Sequence, residues 1–415
     1  MNEGRPRLAD GSYPPSVTER ATKELEARRG QHILHVAKDL PRDHPERKAL
    51  ECVDKMSRTP LFAPIDPLGY LNDTTFHVLT HRYLGLPCPL LRGFEGYKFG
   101  KNGTEVDVMG ANLCSAALPG GGFFPLHDDL QQYLKECFET AGIPVSKENV
   151  NWLEGLVPEK YLKRYRDHIH SFSRPEKAPD AIVPDLDTPV MPVQNKTRRD
   201  GASICIPGVY ELKTMQLNPS NYGVPINTEA QRPAERRGKR AISQYRKRLV
   251  AADKKYATDL VRVEGTAGPF VQALQRITTK NVVPLVTGWF GEVNEGMNQL
   301  LAVLARITAN GPQAIGMSPL DNSDRNGGAY PIVLQRMRRG LACVIARGNA
   351  RHIQSRIHFL RKTRTEAHNI WKAHKRENRW RPGQCGRHGT LCGPTASGYE
   401  EFEQFLSGRH YKNRL

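Results

Sequence analysis

Apolar residues return at helical spacing in several stretches of the chain and run together in three short ones. Phe76, Leu79, Thr80 and Tyr83 predict a helix over 75–84. Leu130, Tyr133, Leu134, Cys137 and Phe138 fall at i, i+3, i+4, i+7 and i+8, with Asp128 or Asp129 as its cap and Gly142 as its stop. Two later stripes are Met297, Leu300, Leu301, Leu304, Ile307 and Leu334, Met337, Leu341, Val344, Ile345. The continuous apolar runs Ala181–Val183, Val209–Met215 and Val282–Thr287 read as buried strands. Between the second and third runs, 236–257 is basic and helical in pattern. The order helix, strand, strand, helix, strand, helix, helix predicts an α/β fold with a small central mixed sheet flanked by helices.

The remaining sequence divides the chain. Residues 1–60 read as a polar arm, with one short helical pattern over 17–29. Residues 61–122 are rich in Pro and Gly and end in Pro119-Gly120-Gly121-Gly122. The patterned region is 123–360, and 361–415 forms a basic, then Gly-rich tail.

Charge narrows the class. Lys and Arg number 61 against 43 acids, a net +18, and 415 residues make two or three domains. That excess points to a polyanionic partner, DNA or RNA. No apolar run approaches the about 18 residues needed to span a bilayer. The opening MNEGRPRLADGSYPPS lacks a signal-peptide core, and the eight cysteines are scattered. These features predict no membrane partner, and a nuclear or cytoplasmic rather than secreted protein.

One strand carries unusual chemistry. Side chains alternate along a strand, so Glu211 and Lys213 share a face of Val209–Met215 while Tyr210, Leu212 and Thr214 take the other. Two charges on an otherwise apolar strand suit a solvated cleft. Asp180, directly before Ala181–Val183, could add a second carboxylate. Two acidic oxygens and a carbonyl suit Mg²⁺ or Mn²⁺, and a neighbouring Lys can orient water at a phosphodiester. The same residues would equally make an exposed edge strand with one surface ion pair.

In order and spacing, Ala178-Pro179-Asp180 and Tyr210-Glu211-Leu212-Lys213-Thr214 resemble the PD-(D/E)xK nuclease superfamily. The resemblance extends to the restriction-like endonuclease in the C-terminal region of non-LTR retroelement polyproteins in protists. Further pieces fit that order. Phe76–Pro87 looks like the segment before the nuclease, and Asp107, Gly110, Cys114 and His127-Asp128 like the entry to its first helix. Ala241–Tyr245, Thr287–Glu292 and 336–351 look like the later helix, strand end and closing basic helix. The likeness spans about 75–360. It implies a restriction-endonuclease-like core that hydrolyses DNA, with Asp180 and Glu211 holding metal and Lys213 catalytic. The wide gap from Asp180 to Glu211, with 185–201 as an insertion, leaves Asp185 of Val183-Pro184-Asp185 as a rival first ligand. No Tyr-x-Asp-Asp polymerase motif occurs, so the chain would be a fragment, a domesticated derivative or a stand-alone relative. The alternative is a catalytically inactive nucleic-acid-binding protein that keeps the fold.

Other residues admit a chemical role beside a plainer one. Glu148 and Glu139 could supply a third acid, or sit in solvent. His127 could pin the loop of Gly120–Gly122. Arg236, Arg237, Lys239, Arg240, Arg246, Lys247 and Arg248 would border the cleft and bind phosphate. From Arg336 to Arg381 there are fourteen basic residues against two acidic ones, with Trp371 and Trp380 between them. Cys385, His388 and Cys392 supply three of the four ligands a zinc site needs, though the run also reads as a Gly-rich turn.

Overall fold

A computed structural model describes residues 35, 39–42 and 44–361, except 63–69, 100–103, 117–122, 176–177, 179, 198–202, 259–266, 319–321 and 323–326. The helical pattern over 17–29, Pro179, the glycines 120–122 and the tail beyond Arg361, with Cys385, His388 and Cys392, lie outside these residues. The described residues belong to one compact unit, Met1–Asn369. None of its described helices is long and apolar enough to cross a membrane.

At the centre is a four-stranded mixed sheet in the order β3-β4-β5-β6: Ser146–Lys147, Leu186–Thr197, Ser203–Thr214 and Val283–Thr287. β3, β4 and β5 pair antiparallel, and β5 and β6 run parallel. A parallel pair needs a long crossover. Here it runs through α8, Pro233–Tyr256. A separate small hairpin joins β1, Lys98–Phe99, to β2, Thr104–Glu105.

Tyr210 and Leu212 face one core, shared with α5 (Phe123–Thr140), α10 (Glu295–Ala309) and α11 (Ala329–Arg361). Val209, on the opposite face, joins a second core of Trp152, Tyr165, Ile182, Tyr245 and Phe270. That core is built with α6 (Glu159–His170), α8 and α9 (Pro269–Ala273). Both sheet faces are therefore covered, which is why β5 reads as a nearly continuous apolar run.

The sequence pattern placed β6, α8 and α10 within a few residues and found β5, α5 and α11, but β5 begins earlier, at Ser203, and α11 is far longer than its stripe, Ala329–Arg361. It misplaced one strand. Ala181–Val183 is not extended pairing: Ile182 is fully buried in the second core but carries no ladder, and β4 begins only at Leu186. The supposed insertion 185–201 is largely β4 itself. Its alternation is broken by Pro189 and Pro192, near register shifts in the ladder to β5. The helix α5 starts at Phe123, so Asp128 and Asp129 lie inside it rather than capping it. The α6 helix was not foreseen at all.

The N-terminal arm also holds more structure than its polarity suggests. The helices α1 (Pro45–Cys52) and α2 (Lys55–Arg58) bury Ala49, Cys52 and Met56. They pack beside α3, Asp73–Leu84, which Asn72 caps by accepting from Thr75 N–H at 2.8 Å. The α3 helix buries Thr75, Val78, Leu79 and Arg82, a stripe rotated away from the exposed Phe76. It ends at Gly85 in the left-handed region, φ 70°, where an added Cβ would lie 2.5 Å from the Glu46 backbone. Neither the backbone twist nor the contact tolerates a side chain. Gly85→Ala is expected to cost about 2 kcal/mol or more, read by denaturant unfolding.

Candidate active site

The ladder between β4 and β5 sets the site. Leu186 pairs with Tyr210, so the next step along the chain places Asp185 opposite Glu211. Leu212 N–H donates to Asp185 Oδ2 at 2.5 Å, holding that carboxylate against β5. Alternation on β5 brings Lys213 to the face of Glu211, and the two are ion-paired at 2.5 Å. The Lys213 ammonium is 3.8 Å from Asp185 Oδ2 as well. One ammonium therefore reaches both carboxylates.

Exposure is graded across the three side chains: 5% for Glu211, 16% for Asp185 and 23% for Lys213. The site opens to solvent on the lysine side and closes over the glutamate. Glu211 Oε2 is buried and has no hydrogen-bond partner. Burial pushes the Glu211 carboxyl above its ordinary pKa and the charge of Asp185 adds to this, while Lys213 pulls it back.

Of the two Pro-Asp pairs, the structure brings the second to Glu211 and Lys213. Asp180 is a correction to the expected ligand set. Its carboxylate is about half exposed and pairs with Lys255 at 2.5 Å and His168 at 3.4 Å. Those contacts hold its pKa below the usual range, led by the Lys255 hydrogen bond. The physical reason is the late start of β4: residues 181–184 spend themselves reaching and filling the second core, so Asp185 is the residue that arrives at the ladder.

The α5 helix supplies the supporting groups. His127 Nε2 lies 3.1 Å from Asp185 Oδ1, and Gln131 Nε2 donates to the Asp185 carbonyl at 2.6 Å. His127 thus pins Asp185; the glycine loop it was expected to hold lies outside the described residues. Burial works against the imidazolium, but the hydrogen bond and charge of Asp185, with help from Asp128, outweigh it and raise the His127 pKa. Sequence reasoning missed Gln131. The available signal was a polar pair one turn apart, His127 and Gln131, set against the apolar stripe of the same helix. Of the two candidate third acids, Glu139 is an exposed partner of Lys135. Glu148 is exposed too, though its N–H reaches the Asp185 carbonyl at 3.4 Å.

The basic helix α8 lies along the same sheet face. Ala241, Tyr245 and Leu249 turn inward and are buried. Arg237 and Arg248, eleven residues or about three turns apart, share one edge. The charge of each reaches Glu211. Lys239, Arg240, Arg246 and Lys247 are exposed, and Arg236 is half-buried with Nη2 on the Asn221 carbonyl. Tyr245 is fully buried with its hydroxyl unpartnered, and burial followed by the charge of Glu211 lifts its pKa well above the phenol range.

Among the described residues, no group of three or more His, Cys, Asp or Glu is gathered to hold a metal ion. The pair Asp185 and Glu211 still fits a hard cation that keeps several waters, because one buried carboxylate oxygen has no protein partner. No protein-family model matches the chain, and no curated protein and no solved structure matches it either.

Proposed function

We propose that the chain is a Mg²⁺- or Mn²⁺-dependent endonuclease of the restriction-like class that hydrolyses DNA phosphodiester bonds, derived from a retroelement. The observation that carries this reading is the convergence of Asp185, Glu211 and Lys213 at one end of the β4–β5 ladder. There a carboxylate oxygen is buried without a partner, beside an unbalanced basic helix. Two carboxylates brought together inside a protein repel each other and resist ionising unless a cation joins them. The surrounding α/β sheet, with a helix crossing between its parallel strands, is consistent with a restriction-endonuclease-like core.

Asp185 and Glu211 would hold the ion, which when bound would lower the pKa of a water and offset charge on the phosphate. The protein's own groups divide the rest of the work. Lys213 sits at the solvent side of the carboxylates, where its charge can meet the attacking water or the phosphate. His127, Gln131 and the Leu212 N–H fix Asp185 from three directions. Arg237 and Arg248 offer positive charge along the α8 edge, and the exposed cations beyond them suit a nucleic-acid backbone.

The test is nicking of supercoiled plasmid with Mg²⁺ or Mn²⁺, and with EDTA. Metal-dependent conversion to open circles supports the reading. A protein that binds DNA yet never cuts in either metal would be the inactive binding relative instead. Binding itself is expected to survive EDTA and to weaken steeply with salt, because each phosphate contact releases a counterion. Replacing Arg246 and Lys247 together by Ala is expected to lower the slope of log affinity against log salt by about 2. An unchanged slope would place the DNA on another face.

A further inference from the structure

At the C-terminal ends of α6 and α8 the chain sets aromatic rings among cations. Arg164, His168 and Phe172 follow at i, i+4 and i+8, along the edge of the buried stripe Tyr161, Tyr165 and Ile169. Phe172 lies just past the last turn of α6, its N–H on the Ile169 carbonyl, and is 37% exposed. His168 meets it edge-to-face with ring centroids 5.4 Å apart, and meets Tyr256 of α8 at 5.9 Å. Lys255 Nζ lies 3.0 Å from His168 Nε2 and 5.3 Å from the Tyr256 ring centroid. Arg164 Nη1 donates to the Tyr256 carbonyl at 3.3 Å.

The charge of this corner is unbalanced. Lys163, Arg164, Arg174, Lys254 and Lys255 are exposed here, against the exposed acids Asp167 and Asp180, and Asp180 offsets only part of the Lys255 charge. The corner is also continuous with the candidate active site. Arg237, Arg248 and Lys255 are eleven and seven residues apart, so they recur on one edge of α8 over about 27 Å. The first two are the arginines whose charge reaches Glu211. A cationic edge suits a phosphate backbone, and a partly uncovered ring at its end suits the flat face of a base. Inside a duplex both faces of a base are covered by its neighbours, so the ring favours an unpaired strand.

We propose that this corner binds single-stranded DNA, with an unpaired base stacked on Phe172 and the backbone led along α8 by Lys255 and Arg248. The inference rests on α8 being a DNA-binding surface and adds an unpaired strand to the DNA that the same site takes. It does not require that the site hydrolyse anything.

The test is fluorescence anisotropy of the full chain with a labelled oligo-dT strand and with a labelled duplex, both in EDTA so that nothing is cut. Phe172→Ala is expected to weaken oligo-dT binding about tenfold or more and to leave duplex binding unchanged, while Phe172→Trp restores the single-strand affinity. Phe76→Ala, which removes another exposed ring from α3, is expected to change neither. Should Phe172→Ala fail to fold, Phe172→Leu keeps an apolar contact with His168, and a strand containing 2-aminopurine reads the stacking directly. Its fluorescence should be quenched on binding the wild type and not on binding Phe172→Leu. Unchanged oligo-dT affinity in Phe172→Ala, or equal weakening of single strand and duplex, overturns the proposal even where the protein nicks plasmid. A strand-selective loss in a protein that never nicks plasmid upholds the proposal and removes the endonuclease reading instead.

Discussion

Asp185→Asn and Glu211→Gln are each expected to abolish plasmid cleavage, while Asp180→Asn cuts like the wild type. The first two residues share one site: Lys213 reaches both carboxylates, and losing either leaves an ion without half of its anionic ligands. Asp180 is held by Lys255 and His168 on the surface, where solvent screens the pair and its loss touches nothing in the site. Lys213→Met makes a sharper separation. Without metal the Lys213 ammonium is the cation on Glu211 at 2.5 Å, so a metal ion must compete with it. The variant is expected to bind Mn²⁺ at least as tightly as wild type, measured by calorimetry, yet to cleave about 10²–10³ slower because one preorganised charge is gone. Weaker Mn²⁺ binding in Lys213→Met would mean that the lysine shapes the ligand set rather than the reacting phosphate. His127→Ala should fall between these extremes, since it removes one of three restraints on Asp185 and none of the ligands.

The legible and illegible parts of this site have a common physical explanation. Glu211 and Lys213 could be read because they break an apolar strand at a spacing of two, and period-two alternation is a local property. The choice between Asp180 and Asp185 was not local. It depended on where β4 begins, and the apolar run Ala181–Val183 resembles a strand as much as it resembles the short core-filling segment it is. Ile182 and Ala181 are buried against Tyr165 and Trp152, whose helix and turn the sequence pattern did not reveal. Trp152 Nε1 donates to the Ile182 carbonyl and Tyr165 hydroxyl accepts from the Ile182 N–H at 2.9 Å. Side chains thus take the backbone hydrogen bonds that a strand would have placed in a ladder. His127 was visible as a residue near the α5 stripe, but its partner lies 58 residues away and belongs to the same misplaced strand start. Most of the basic face of α8 was legible, because an unbalanced run of charge on a helix needs no tertiary information; Arg236, drawn onto the Asn221 carbonyl, was the exception.

Stability from two buried groups of opposite sign is expected to be highest on a plateau between about pH 4.5 and 6.5, falling on either side. Glu292 is fully buried and its carboxyl is pushed up to about 7, chiefly by burial. Its oxygens accept from the Tyr222 hydroxyl and from Phe290 N–H, and the Tyr222 hydroxyl in turn accepts from Trp289 N–H. Between its ordinary value near 4.5 and 7 the folded chain holds a proton that the unfolded chain releases. Stability from this group is therefore present below about 4.5 and is lost as pH rises to 7, at about 1.4 kcal/mol per unit. His352 runs the other way. Burial, with the charges of Arg356 and Arg82, lowers its pKa to about 3, and it accepts from Arg356 Nε at 3.3 Å as a neutral ring. The unfolded chain takes up a proton below 6.5 that the folded chain refuses, so stability falls as pH drops from 6.5 toward 3. The two windows overlap between 4.5 and 6.5, where the terms oppose each other. Substitution separates them. Relative to wild type, Glu292→Gln is expected to gain about 3 kcal/mol between pH 4.5 and pH 8, because the amide cannot ionise. Urea unfolding at a series of pH values measures this difference directly. A wild-type-like pH profile in Glu292→Gln would show that Glu292 ionises freely in the folded chain. A buried carboxyl that close to the turn after β6 would then have to open that turn to water each time it lost its proton.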